Sequence, residues 1–315
     1  MVRFDLTIQL DYRIITPSDF VFNIQPANTA HQRVVWESLA TMPPGVNRNE
    51  DQDAFGNRYL RLHSQPGNLR VTYDAIVDVR HHFDIPADVC ETPVGELPSS
   101  VLPYIYPSRF CQSDRLVNVA WEQFAGMAPG YARVAAVRDW VNAHVQFKPG
   151  ASSPSTSAVD THRERVGVCR DYAHLMITLL RALNIPARFV TSIDYGADPA
   201  LGPTDFHATV EAYLGGRWYL FDPSGISPRM GLIRIGTGYD ASDCAFATIF
   251  GTVESTMPMV RIAATTDRFE GLVEPFRHDY AVSTDPGPEL ARCDANAYPA
   301  AMPFVTERRE SVAGE

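Results

Sequence analysis

Two strand-like runs joined by Gly215-Gly216, between Thr204 and Asp222, restrict the fold more tightly than any other segment. In the first, Thr204-Asp205-Phe206-His207-Ala208-Thr209-Val210-Glu211-Ala212-Tyr213, polar and apolar residues alternate; the second is Arg217-Trp218-Tyr219-Leu220-Phe221-Asp222. Adjacent glycines tolerate the positive φ angles of a tight hairpin turn, whose twist matches that of antiparallel strands. With the glycines at the turn, Leu214 faces Arg217 and Asp222 falls opposite Thr209. Asp222 then shares a sheet face with His207, one diagonal step (~7–8 Å) away, near enough to hydrogen-bond the imidazole. A slip of one residue would send Asp222 to the opposite face.

Upstream, Cys169 stands in Gly167-Val168-Cys169-Arg170-Asp171-Tyr172, just before Leu175, Met176, Ile177, Leu179, Leu180 and Leu183. Apolar residues cover nearly every side of the helix this pattern predicts, so the helix belongs at the centre of its domain. A cysteine in its first turn meets unpaired N–H groups and the positive end of the helix dipole, which favour a thiolate. The same groups can hold the oxyanion of a tetrahedral intermediate.

Singly, each residue has a plainer reading. Cys169 could be a small core residue, His207 an ordinary strand histidine, and Asp222 before Pro223 the start of a turn. Together they supply what nucleophilic catalysis needs: a nucleophile, a base and a carboxylate that orients the base. Cys169, His207 and Asp222 are therefore the candidate catalytic residues. Asp205 reads as a turn residue, His174 as structural, and Arg170 with Asp171 as a surface pair or neighbours of the site.

The rest of the chain frames this core. From Val2 to about His82, Phe4, Leu6, Ile8 and Leu10 alternate with polar residues. Short runs at 20–24, 32–36, 59–62 and 69–73 follow, separated by Pro/Gly turns such as Pro43-Pro44-Gly45, and predict an antiparallel β-sandwich. A Pro- and Ser-rich linker (Pro86 to Ser108) leads to helical patterns starting at Ser113 and at Tyr131–His144; Lys148 to Ser157 reads as a loop. The third helix runs from Cys169 to before Pro186, with Asn184 suited to its left-handed cap. The expected division is an N-terminal sandwich over 1–105, a catalytic core over 106–265 and a partly irregular C-terminal extension over 266–315, an α+β chain.

Twenty-seven Lys and Arg against 37 Asp and Glu give a net charge of −10. With no basic cluster, nucleic acids and anionic membrane surfaces are not expected partners. The five cysteines have no paired spacing, so neither a disulfide scaffold nor a zinc ribbon is expected, nor any metal or cofactor. No run approaches the ~18 apolar residues of a membrane helix. The expectation is a soluble, cytoplasmic, thiol-reduced protein.

Four blocks carry a family resemblance: Gly167 through Leu175, Arg181-Ala182-Leu183-Asn184-Ile185-Pro186-Ala187-Arg188, Asp205-Phe206-His207-Ala208, and Trp218-Tyr219-Leu220-Phe221-Asp222-Pro223. In these blocks, and in a Cys–His–Asp order with spacings of 38 and 15 residues, the chain resembles the bacterial transglutaminase-like superfamily. The N-terminal part, with Asp53-Ala54-Phe55-Gly56-Asn57, is similar to the β-rich region that precedes the core in many bacterial members. The resemblance implies a papain-like core, with the nucleophile's helix packed on an antiparallel sheet carrying His and Asp. It also implies attack of Cys169 on a peptide or Gln-type amide, a thioester intermediate, and transfer to water in preference to an amine, without calcium. The alternative is a non-catalytic binding or scaffolding module that retains the three residues.

Overall fold

Alternation in the first strand sets the architecture of the N-terminal half. In the computed structural model, which describes residues 1–197, 204–285 and 287, β1 (Val2–Ile14) is followed by β2 (Ser18–Phe22), β3 (Gln32–Met42), β4 (Asn47–Gln52), β5 (Arg58–Ser64), β6 (Gly67–Val79) and β7 (His82–Asp84). β1 lies antiparallel to β6 along its whole length, from Val2 opposite Val79 to Ile14 opposite Gly67. Its even-numbered side chains Phe4, Leu6, Ile8 and Leu10 are buried against Phe20, Phe22, Leu60 and Tyr73. This sandwich core follows from a period of two with one apolar face. β4, with the sequence Asn-Arg-Asn-Glu-Asp-Gln, is exposed throughout. It lacks the alternation that reveals a strand, and its charges suit an edge that must not pair with other chains.

The catalytic half contains α1 (Val117–Phe124), α2 (Tyr131–His144), β8 (Gln146–Phe147), α3 (Ala158–Glu164), β9 (Val166–Gly167), α4 (Cys169–Ala182), β10 (Ala187–Asp194), β11 (Phe206–Leu214), β12 (Arg217–Phe221) and β13 (Leu232–Gly238). A four-stranded sheet runs in the order β12-β11-β10-β13, every pair antiparallel. α4 packs on β10 and β11 and against the other three helices. Its Leu175, Met176, Leu179 and Leu180 meet Val134, Val137, Val141, Val210 and Phe221 in one apolar cluster. The helix closes with Asn184 at φ +61°, the left-handed conformation that asparagine tolerates. α3 escapes the sequence pattern because it is only seven residues long. The chain is thus mixed α/β with mainly antiparallel sheets, in agreement with the α+β reading.

Two boundaries differ from those expected. β14 (Ala247–Phe250), β15 (Val253–Ser255) and β16 (Met259–Thr265) were assigned to the core but return to the sandwich. β14 pairs with β2, while β15 and β16 pair with β1 on the side away from β6. β1 presents a second hydrogen-bonding edge, and chain order does not say which distant segment fills it. The linker is also no loose spacer. Val89, Val101 and Tyr104 are buried, and Glu91 accepts two hydrogen bonds from Arg133. β17 (Ala281–Ser283), in the C-terminal extension, pairs with β7. Residue 286 and residues 288–315 of that extension, together with residues 198–203, lie outside the described residues. Cys90 is disulfide-bonded, unlike the reduced thiol expected from cysteine spacing.

Candidate active site

The start of α4 is built by a carboxylate folding backwards. Asp171 is fully buried; its Oδ2 accepts the Val168 N–H at 2.9 Å and its Oδ1 the Ser152 hydroxyl at 2.9 Å. This satisfies a helix-end donor and places negative charge at the positive end of the dipole. A Cβ on Gly167 would come within 2.7 Å of Asp171 Cβ, so only glycine leaves room for the returning side chain. Arg170 donates to Ser152 Oγ and the Ser153 carbonyl, pinning the 148–157 loop beside the helix start. The surface reading of Arg170 and Asp171 therefore fails for Asp171, which is a buried helix cap. Cys169, the first residue of α4, is half-buried.

The hairpin has the anticipated register: Leu214 pairs with Arg217 and Val210 with Phe221. The next residue, Asp222, brings Oδ1 within 3.2 Å of His207 Nε2, and both side chains are almost completely buried. The Cys169 thiol lies near enough to the same imidazole to help raise its pKa. With Nε2 engaged by Asp222, Nδ1 is the nitrogen left for the thiol. All three candidate residues thus meet, although helix and hairpin are distant in sequence.

Asp222 is held from several directions. Oδ1 accepts the Ser224 hydroxyl at 2.6 Å and the Ser224 N–H at 3.0 Å, while Oδ2 accepts the Ser227 N–H at 3.2 Å. The Ser227 hydroxyl donates in turn to Asp194 Oδ2 at 3.0 Å. Asn142 Nδ2, on α2, donates to the carbonyls of Pro223 and Ser224, each at 3.0 Å. Burial alone would raise the Asp222 carboxyl, but His207, Ser224 and Ser227 overcome it and hold the pKa at about 2. Burial likewise opposes the His207 imidazolium, yet Asp222 and Cys169 raise its pKa well above the ordinary 6.5. The geometry favours an imidazolium between a carboxylate and a sulfur.

Sequence reasoning overlooked Ser224, Ser227 and Asn142. Asp222-Pro223-Ser224 did carry a signal, since an aspartate two residues before an N–H commonly forms an Asx-turn. Asn142 carried none. Asp205 accepts the N–H of Phe206, consistent with the turn reading. His174 is buried, stacked on Phe110 and accepting the Ala241 N–H at 3.2 Å, as befits a structural residue. Among the described residues no group of three His, Cys, Asp or Glu side chains is placed to hold a metal, and no helix is long and apolar enough to cross a membrane.

The sequence profile of the transglutaminase-like superfamily matches residues 118–223, which include all three residues of the site, and that of the bacterial transglutaminase N-terminal domain matches residues 2–100. A crystal structure of a candidate cysteine protease from Cytophaga hutchinsonii is 36% identical, with a TM-score of 0.83 over 90% of this chain and 97% of that one. The chain belongs to the transglutaminase-like superfamily. Among curated relatives, an uncharacterized Mycobacterium leprae protein is 34% identical over 122 residues, 37% of this chain and 43% of that protein. The chain thus spans less than half the length of that relative. An uncharacterized Mycobacterium tuberculosis protein is 25% identical over 268 residues, 76% of this chain and 85% of that protein.

Proposed function

We propose that this transglutaminase-like protein cleaves or transfers peptide or Gln-type amides through a thioester on Cys169, with water as the preferred acceptor. The single observation that supports it best is the buried His207–Asp222 pair, 3.2 Å apart, within reach of a thiol at a helix start. Cys169 sulfur adds to the amide carbonyl carbon, and first-turn N–H groups of α4 stabilise the oxyanion. The intermediate collapses as His207 gives its proton to the leaving nitrogen, which breaks the C–N bond and leaves the thioester. Water or a primary amine then attacks the thioester carbon while His207 takes its proton. Release of the acid or new amide restores the Cys169–His207 pair. Asp222 keeps the imidazole oriented throughout.

Iodoacetamide provides the first test. Cys111 and Cys244 are buried, and burial pushes both thiols up to about 12, so Cys169 should be alkylated far faster than either. Equal labelling, or protection of Cys169, overturns the activated-thiolate reading. Acyl-donor peptides incubated with and without a primary amine then report carboxylate or amide product. Turnover that survives Cys169→Ala, or none across a broad peptide panel, overturns the catalytic reading; the latter result favours a scaffold.

A further inference from the structure

A cavity of about 440 Å³ opens against Asp222 and its loop, lined among others by Arg138, Asn142, Arg229, Arg277 and His278. Neither Cys169 nor His207 lines it, so it is separate from the space where the thiol meets an amide. Its charges are the informative feature. Elsewhere, Arg3, Arg58, Arg133 and Arg188 all face carboxylates. Arg229 instead donates to the Tyr131 hydroxyl at 2.6 Å and the His278 carbonyl at 2.9 Å. Arg277 donates to the carbonyls of Ile226 at 2.8 Å and Gly225 at 3.4 Å. Among the described residues, both guanidiniums have only neutral partners, in a chain of net charge −10. Each guanidinium has five N–H donors, so most remain available.

His278 also lines the cavity. Its Nδ1 accepts the Tyr280 N–H at 3.2 Å, which puts the ring proton on Nε2. That Nε2 is buried and has no partner among the described residues. The acidic lining residues do not cancel the two arginines. Asp139 is paired with Arg138 at 2.7 Å, and Asp222 is engaged by His207, Ser224 and Ser227. Asp279 alone is left to offset Arg229 and Arg277.

We propose that this cavity is an oxyanion-binding subsite, taking a carboxylate or phosphate group on Arg229 and Arg277. Planar guanidiniums with free N–H edges match such groups in charge and geometry. The oxyanion can arrive as an acidic side chain of the polypeptide substrate, a source that rests on the amide-cleaving reading above, or as a free anion, which does not. Either way it lies beside the loop that positions Asp222. Arg277 holds the two carbonyls between Ser224 and Ser227, so occupancy bears directly on that loop.

Calorimetric titration of the full chain carrying Cys169→Ala tests the site without turnover, at low ionic strength where charge pairing is least screened. Inorganic phosphate is one ligand; the other is a pair of peptides differing only by Glu in place of Gln. Saturable binding is expected, weakened about tenfold or more by Arg277→Gln, the loss of one charge-assisted pair. Arg13→Gln, at an exposed residue paired with Glu254, should leave it unchanged. Arg277 contacts only backbone carbonyls of a surface loop, so its loss should not unfold the protein; Arg229→Gln gives a second reading. Tighter binding of the Glu peptide supports the substrate as the source, and phosphate binding without peptide discrimination supports a free anion. Absence of both, or binding that survives both arginine variants, overturns the subsite. Iodoacetamide labelling of the wild type judges the thiol chemistry separately.

Discussion

The two halves of this molecule bury polar groups in opposite ways. In the sandwich strands up to Val79, every buried polar residue is neutral: Ser18, Asn23, Gln25, Gln32 and Asn57. The C-terminal half and the linker that packs on it bury Glu91, Arg133, Asp171, His174, Arg181, Asp194, His207, Glu211, Asp222 and Asp240. A buried charge is costly unless partnered. Its partners are visible: Glu91 with Arg133, Glu211 with Arg188 and Arg234, and Asp222 with His207. Arg181 spreads its donors over carbonyls of Ala187, Tyr106 and Tyr239. One half buries an apolar alternation with neutral polar groups, and the other concentrates buried charge around α4 and its sheet. The candidate active site lies in the half with the more expensive interior.

Substitutions that should damage one half and spare the other can break this contrast. The largest expected effect is on turnover: Asp222→Ala should lower kcat by ~10³–10⁴-fold, the usual consequence of leaving a catalytic imidazole unoriented. Steady-state assays of soluble, folded variant check it, and a loss below tenfold would remove Asp222 from the mechanism. In the sandwich, Leu6→Ala should cost about 3 kcal/mol of stability by opening a cavity, yet leave kcat per folded molecule unchanged. Urea unfolding with active-site titration measures both, and a fall in kcat would mean that the halves are functionally coupled.

The His207–Asp222 pair should make stability pH-dependent in the catalytic half. Asp222, held at about 2 when folded, stabilises above its unfolded value of 3.8 and loses that contribution as pH falls through about 2. His207, raised when folded, contributes fully below 6.5 and loses its contribution as pH rises through its folded value. The stability gap between wild type and Asp222→Asn should therefore be widest between pH 3.8 and 6.5, at about 2 kcal/mol, and narrow on both sides. Urea midpoints across pH test this, and a gap that is flat with pH would contradict the ion pair. The smallest effect is expected for Gly167→Ala. Its Cβ would displace Asp171, costing about 1–2 kcal/mol and slowing iodoacetamide labelling of Cys169. Unchanged labelling would show that the Asp171 cap does not position the nucleophile.

Much of this was legible in local patterns. Period-two runs marked β1 and β11, Gly215-Gly216 set the hairpin register, and the apolar wrap of α4 marked it as central. These features are local, so short-range sterics and one-sided burial express them directly. β4 and α3 were not legible, one lacking an apolar face and the other too short to repeat a helical pattern. Nor could local pattern show that β16 crosses back to β1, that the linker packs on the core, or that Asp171 turns inward beneath Gly167.

The sequence by itself therefore determined the elements and the types of residue offered for chemistry: a cysteine at a helix start, and a histidine and an aspartate in hairpin register. Only tertiary structure decided that the thiol reaches the imidazole, that Ser224, Ser227 and Asn142 support Asp222, and that two arginines meet across a cavity beside it. The physical reason is that backbone geometry is set by near neighbours, whereas a buried charge is satisfied by whichever donors the packed chain brings to it.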